Sequence, residues 1–159
     1  MLGFGKSKEH SLLAVCDGMV SDITSVKDDV FSKKILGDGF CQRPDGGIIR
    51  SPGEGKVVSV ADTGHAYCIE LVSGAEVLVH IGIDTVELKG EGFMPRVEEG
   101  DKVFPGAVIA EIDIELIENK GYDTTVVTLI TNQDKIKELR VISDTVKGGV
   151  SAAAVYKLK

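Results

Sequence analysis

Nineteen glycines interrupt this chain of 159 residues at short intervals, and long stretches with the apolar spacing of an amphipathic helix are scarce. A glycine inside a helix costs about 1 kcal/mol relative to alanine, whereas glycines between short alternating runs mark turns. The runs predict strands over residues 48–51, 56–60, 65–72, 75–81, 108–112 and 125–130. Turn chemistry falls at Asp45-Gly46-Gly47, Ser73-Gly74 and Glu99-Gly100-Asp101. Two helices are expected, one over 114–118 and one over 134–139 with Asn132 or Asp134 as its cap. The resulting fold class is all-β, an antiparallel sandwich or barrel with minor short helices.

One predicted hairpin carries two of the three histidines, His65 and His80. If Ser73-Gly74 forms a two-residue turn, Val72 faces Ala75 and Tyr67 faces His80. His65, two residues from Tyr67, then shares that face and becomes the diagonal neighbour of His80, with Cβ atoms about 7–8 Å apart. A loop of odd length would move one histidine to the other face. Spacing alone leaves two structural, hydrogen-bonded histidines as an equal alternative. The residues after His80 favour a reactive role: Ile81-Gly82-Ile83 leaves the strand through a glycine, which sets His80 at a strand end where backbone and solvent approach it.

Size and charge narrow the remaining classes. A chain of this length buries a sizeable core as one domain, and 43% hydrophobic against 27% charged residues is ordinary for a soluble globular protein. A net charge of -7 argues against nucleic acid and toward a basic protein surface as partner. Cys16, Cys41 and Cys68 form no close pair, so they read as buried reduced thiols rather than a disulfide, metal or redox motif. There is no long uncharged apolar run and no secretory pattern at the start, so the expected location is cytoplasmic. Residues 1–11, which include His10, are expected to form a flexible tail before a domain over 12–159.

The stretch from Val79-His80-Ile81-Gly82-Ile83-Asp84-Thr85-Val86-Glu87-Leu88-Lys89 to Gly90-Glu91-Gly92-Phe93 resembles the phosphorylation-site signature of the glucose-type enzyme IIA family of the bacterial sugar phosphotransferase system. The resemblance extends through Asp28-Asp29-Val30-Phe31, Gly37-Asp38-Gly39, Ser51-Pro52, Thr63-Gly64-His65-Ala66 and Glu99-Gly100-Asp101, nearly the whole chain. It implies that His80 accepts a phosphoryl group from the phosphocarrier protein HPr and passes it to a cysteine of a IIB domain. It implies further that His65 stabilises the phosphoryl group, that Thr63 orients His65, and that the Gly82 backbone supports His80. Asp28, Asp84 and the apolar residues Val30, Phe31, Ile35 and Leu36 match the family's docking face. No cofactor is required on this reading. Zinc enters only if His65 and His80 share it with a ligand from a partner. Regulatory targets and transient residence at the inner membrane face, through a permease partner, are also implied by the resemblance. Val60-Ala61-Asp62 stands where some relatives carry a bulky aromatic residue.

Two other classes fit less well. A zinc hydrolase needs three protein ligands, but Ile69 and Leu78 occupy positions where H-x-x-x-D and H-x-H patterns would place them. A biotinyl or lipoyl carrier is suggested by the glycine rhythm of residues 100–106. It needs a lysine at a hairpin tip, and Lys56 lacks the flanking pattern.

Overall fold

The structure, a computed structural model, describes residues 8–159. In chain order its strands are β1 (Glu9–Leu13), β2 (Gly18–Asp22), β3 (Asp38–Gln42), β4 (Ile48–Arg50), β5 (Gly55–Val60), β6 (Ala66–Leu71) and β7 (Glu76–Ile81). Next come β8 (Phe93–Pro95), β9 (Lys102–Val103), β10 (Val108–Ile112), β11 (Val126–Ile130), β12 (Ile136–Val141), β13 (Thr145–Val146) and β14 (Ala152–Leu158). An eight-stranded sheet runs β13-β2-β3-β11-β7-β6-β5-β9, beside two three-stranded sheets, β1-β14-β12 and β4-β10-β8. Each strand pairing among the described residues is antiparallel. The helical pieces are brief: α1 (Asp29–Ser32), α2 (Ile114–Asn119) and three turns of 3-10 helix. The antiparallel sandwich expected from the glycine-broken runs is therefore the fold.

The main core draws on all three sheets, with Leu12, Ala154 and Tyr156 from one, Ile49, Ile109 and Ile112 from another, and Phe40, Tyr67, Ile69, Val79 and Ile81 from the large one. The large sheet is covered on its other face as well. Ile23, Val26, Phe31, Cys41, Ile83, Val127 and Leu129 form a second, smaller cluster there, under α1 and the 3-10 turn at Ile23–Ser25. Strand β11 lies between the two clusters and is buried at all five positions, which is why Val126-Val127-Thr128-Leu129-Ile130 is apolar at every position except Thr128.

Several sequence expectations need correction. Residues 134–139 are not a helix: Gln133–Lys135 makes one 3-10 turn, and Ile136–Val141 is strand β12, paired with β14. Ile136 and Leu139 mimic helical spacing, but a bulge between Ile136 and Glu138 shifts the strand register and puts both against the core. Of the tail expected over 1–11, residues 1–7 lie outside the described residues, whereas Glu9, His10 and Ser11 pair with β14. His10 packs on the fold, its ring stacked on Tyr156 with centroids 5.2 Å apart. Cys16 and Cys41 are buried free thiols, raised in pKa first by desolvation and Cys16 to about 12; Cys68 is free but half-exposed. Lys56 sits inside β5, opposite Glu70, and not at a hairpin tip.

The hairpin register also differs. The Leu71 N–H donates to the Ala75 carbonyl, so the β6–β7 loop is the three residues Val72-Ser73-Gly74, with Gly74 at φ +101°. The Ser73 hydroxyl accepts from the Ala75 N–H and bonds to the Tyr156 hydroxyl, which holds the longer turn. His80 consequently faces Ala66, and Tyr67, opposite Val79, is turned into the main core.

Candidate functional site

His80 is the penultimate residue of β7, on the pleat face that carries Leu78 and, across β11, Val127. With the odd loop, strand parity would direct the side chain of residue 65 to the opposite face. His65, however, precedes β6, in a bend closed by the Gly64 N–H donating to the Ala61 carbonyl. Gly64 has φ +71°, and a Cβ there would meet Pro95 at 2.9 Å, so only glycine fits this turn. The bend frees His65 from the pleat. Its ring lies against His80 with centroids 5.0 Å apart and planes at 84°. The expected convergence is real, but a bend produces it instead of the two-residue turn.

The surroundings set the chemistry of both rings. His65 is buried, and the Thr63 hydroxyl lies 2.5 Å from its Nδ1. Burial lowers the pKa of His65. Phe31, buried in the smaller cluster, packs against His80 with ring centroids 5.0 Å apart. Burial, and secondarily the neighbouring His65, push His80 down to about 4, against opposing influences from the Gly82 backbone, Asp28 and Asp84. Both imidazoles are therefore neutral at neutral pH and keep an unprotonated ring nitrogen. Nδ1 of His80 is buried and makes no hydrogen bond of ordinary geometry, although the Gly82 backbone is close enough to influence the ring's charge.

The turn after His80 is tightly specified. Gly82 has φ +81°, and a Cβ there would meet Thr85 Cγ2 at 2.3 Å and the Asp123 carbonyl at 3.0 Å. Thr85, fully buried, donates from its hydroxyl to the Ile81 carbonyl and pins the turn. Asp84 is exposed at φ 60°, a left-handed position that aspartate tolerates, and begins the 3-10 turn Thr85–Leu88. Asp28 caps α1, its carboxylate accepting from the Val30 N–H at 2.9 Å.

The expected apolar docking residues divide into two kinds. Val30, Ile35 and Leu36 are exposed at 42%, 63% and 43%, whereas Phe31 is a buried wall of the histidine site. Val86, 51% exposed two residues beyond Asp84, adds to the exposed apolar surface and was not singled out from sequence. Val127 was also missed. It pairs directly with His80, and only the long-range pairing of β7 with β11 reveals this. Among the described residues no group of three or more His, Cys, Asp or Glu side chains is placed to hold a metal ion, so the histidines offer two ligands at most.

This fold and histidine pair have counterparts among known proteins. Residues 10–136 match the family described as phosphoenolpyruvate-dependent sugar phosphotransferase system, EIIA 1. The chain is 40% identical to the glucose-specific EIIA component of Haemophilus influenzae over 152 residues, 96% of this chain and 92% of that one. It is 37% identical over 150 residues to the glucose-specific EIIA component of Halalkalibacterium halodurans, 93% of this chain and 87% of the relative. A Streptococcus pneumoniae relative, the glucose-specific EIICBA component, is 42% identical over 136 residues, which are 86% of this chain and 19% of that much longer protein. Among solved structures, glucose permease IIA from Mycoplasma capricolum superposes with a TM-score of 0.87 at 34% identity, covering 98% of this chain and 99% of that one. The chain belongs to the EIIA family of the phosphoenolpyruvate-dependent sugar phosphotransferase system. It is a phosphocarrier, a phosphotransferase component of sugar transport. No helix among the described residues is long and apolar enough to cross a membrane.

Proposed function

We propose that His80 is the phosphoryl acceptor, taking the group from a phosphohistidine of HPr and passing it to a cysteine of the IIB domain of a glucose-family permease. The observation that carries this reading is the T-shaped pair of neutral imidazoles at the end of β7, His65 buried and His80 half-buried. Nδ1 of His80 is the buried ring nitrogen, which leaves Nε2 as the nucleophile. The Nε2 lone pair attacks phosphorus, the donor's P–N bond breaks, and the donor imidazole leaves with its electron pair. In the second step a thiolate of the IIB domain attacks phosphorus, and the bond to Nε2 breaks in turn.

Such transfers need positioning and charge stabilisation more than covalent machinery. His65 supplies a donor on this reading: the Thr63 hydroxyl, 2.5 Å from Nδ1, is assigned as donor to it, which places the imidazole proton on Nε2, within reach of a phosphoryl oxygen. Phe31 and the smaller cluster exclude water from the His80 side. Asp28 and Asp84 repel a bare phosphoryl group, and their place at this rim makes sense if cations on the docking partner pair with them. Exposed Val30, Ile35, Leu36 and Val86 give that partner an apolar contact surface. The protein acts in the cytoplasm, meeting the inner membrane face through its permease partner. The same face is available to regulatory targets, and a zinc ion would enter only with a ligand brought by one of them.

Transfer from phosphoenolpyruvate through enzyme I and HPr tests the assignment by measuring acid-labile phosphate on the protein. The wild type labels stoichiometrically, His80→Gln does not, and His65→Gln accepts phosphate but passes it on about a hundredfold more slowly. Label retained in His80→Gln would overturn the acceptor assignment.

A further inference from the structure

Beside strand β4, away from the residues used in phosphoryl transfer, is a cleft of about 450 Å³ that the phosphocarrier role leaves unused. Arg50, Lys147 and Asp17 bring their charges to its wall, with Gly106, Gly148 and Gly149 between them. The floor is preformed by close backbone packing. A Cβ on Gly106 would meet the Gly149 carbonyl at 3.0 Å, and one on Gly148 would meet the Cys16 backbone at 2.7 Å. Arg50 is held in place on this floor: its Nη1 donates to the Gly106 carbonyl at 3.0 Å, and its stem lies so near Gly149 that a Cβ there would come within 2.8 Å of Cδ. One guanidinium donor is thus used for anchorage, and the other N–H groups remain for a ligand.

Neither Arg50 nor Lys147 forms a salt bridge with a carboxylate among the described residues. Two such cations on one preformed cleft of a protein with net charge -7 give a local site for an anion. Asp17 specifies more than an anion. Its Oδ1 accepts from the Gly148 N–H at 2.8 Å, which fixes the carboxylate and leaves further lone pairs to receive hydroxyl groups. We propose that this cleft binds a small phosphorylated polyol or sugar, its phosphate on Arg50 and Lys147 and its hydroxyls on Asp17. The site is independent of phosphoryl transfer at His80.

Amide NMR of the full chain carrying His80→Gln tests this, with glycerol 3-phosphate, inorganic phosphate and glycerol as separate probes. The His80→Gln background removes phosphate chemistry at the histidines from the readout. Glycerol 3-phosphate is expected to shift the amides of Gly106, Gly148 and Gly149 saturably, and at lower concentration than inorganic phosphate or glycerol. Arg50→Gln, and separately the exposed Lys147→Gln, should each raise Kd about tenfold. Lys147→Gln keeps the test interpretable if Arg50→Gln loosens the packing. An absence of saturable shifts, equal affinity for inorganic phosphate, or binding indifferent to both substitutions would overturn the proposal.

Discussion

Phe40 and Phe31 are both buried phenylalanines, at 0% and 5% exposure, yet they serve different parts of the molecule. Phe40, on β3, belongs to the main core that joins all three sheets. Phe31, on the four-residue helix α1, belongs to the small cluster on the opposite face and touches His80. Successive residues of β3 and β11 feed the two clusters alternately, Phe40 and Val126 to one, Cys41 and Val127 to the other. The large core therefore fixes the sheet on which β7 is aligned. The small one lowers the polarity around His80 and so keeps its imidazole neutral. Fold and reactivity rest on separate apolar clusters that share the strands between them.

The largest expected effect comes from breaking the main core. Phe40→Ala should cost about 3–5 kcal/mol of stability by denaturant unfolding, with His80 still accepting phosphate in whatever fraction remains folded. Phe31→Ala should cost less, about 2 kcal/mol, because α1 is short and at the surface and can settle into the space left. Its distinguishing result is chemical: the half-buried His80 ring becomes more exposed to water, and the pKa rises from about 4 toward 6.5. Equal pKa effects from the two substitutions would erase the division between the clusters. The smallest effect is expected from Thr63→Val, which keeps the shape and removes the hydroxyl beside His65 Nδ1. Onward transfer should slow by about tenfold, with labelling of His80 and thermal stability little changed.

Local features of this fold were legible in sequence to the extent that they depend on neighbours along the chain. Val108–Ile112 is a strand with the expected bounds, and the helix expected at 114–118 is Ile114–Asn119, capped by the Asp113 carboxylate. The histidine pair is legible in the family signature, whereas the convergence of the two rings rests on the bend at Gly64 and not on the two-residue turn that the spacing suggests. Features that depend on distant pairing were not legible. Strands β1 and β14 are each other's partners across nearly the whole chain, and neither run has an alternation strong enough to announce itself. The hairpin turn differs from its expected length because the Ser73 hydroxyl is committed to Tyr156, 83 residues away, which stabilises a three-residue loop that Ser73-Gly74 alone does not specify. The separate character of Phe31 had the same cause: its motif neighbours Val30 and Ile35 are exposed, and only the packing of α1 on the sheet distinguishes it.

Protonation of His80 also enters stability. The folded-state value lies below the unfolded value near 6.5, so on acidification the unfolded chain takes up the proton first. Stability from this residue is accordingly unchanged above pH 6.5, declines between 6.5 and about 4, and is level again below that.

The most direct test of the account is an NMR titration of the His80 imidazole in the full chain, with Phe31→Ala alongside. A midpoint near 4 in the wild type, moving upward in Phe31→Ala, is the predicted result. A wild-type midpoint at 6.5 or above would mean that the small cluster does not hold the ring neutral, and would contradict the account at its centre.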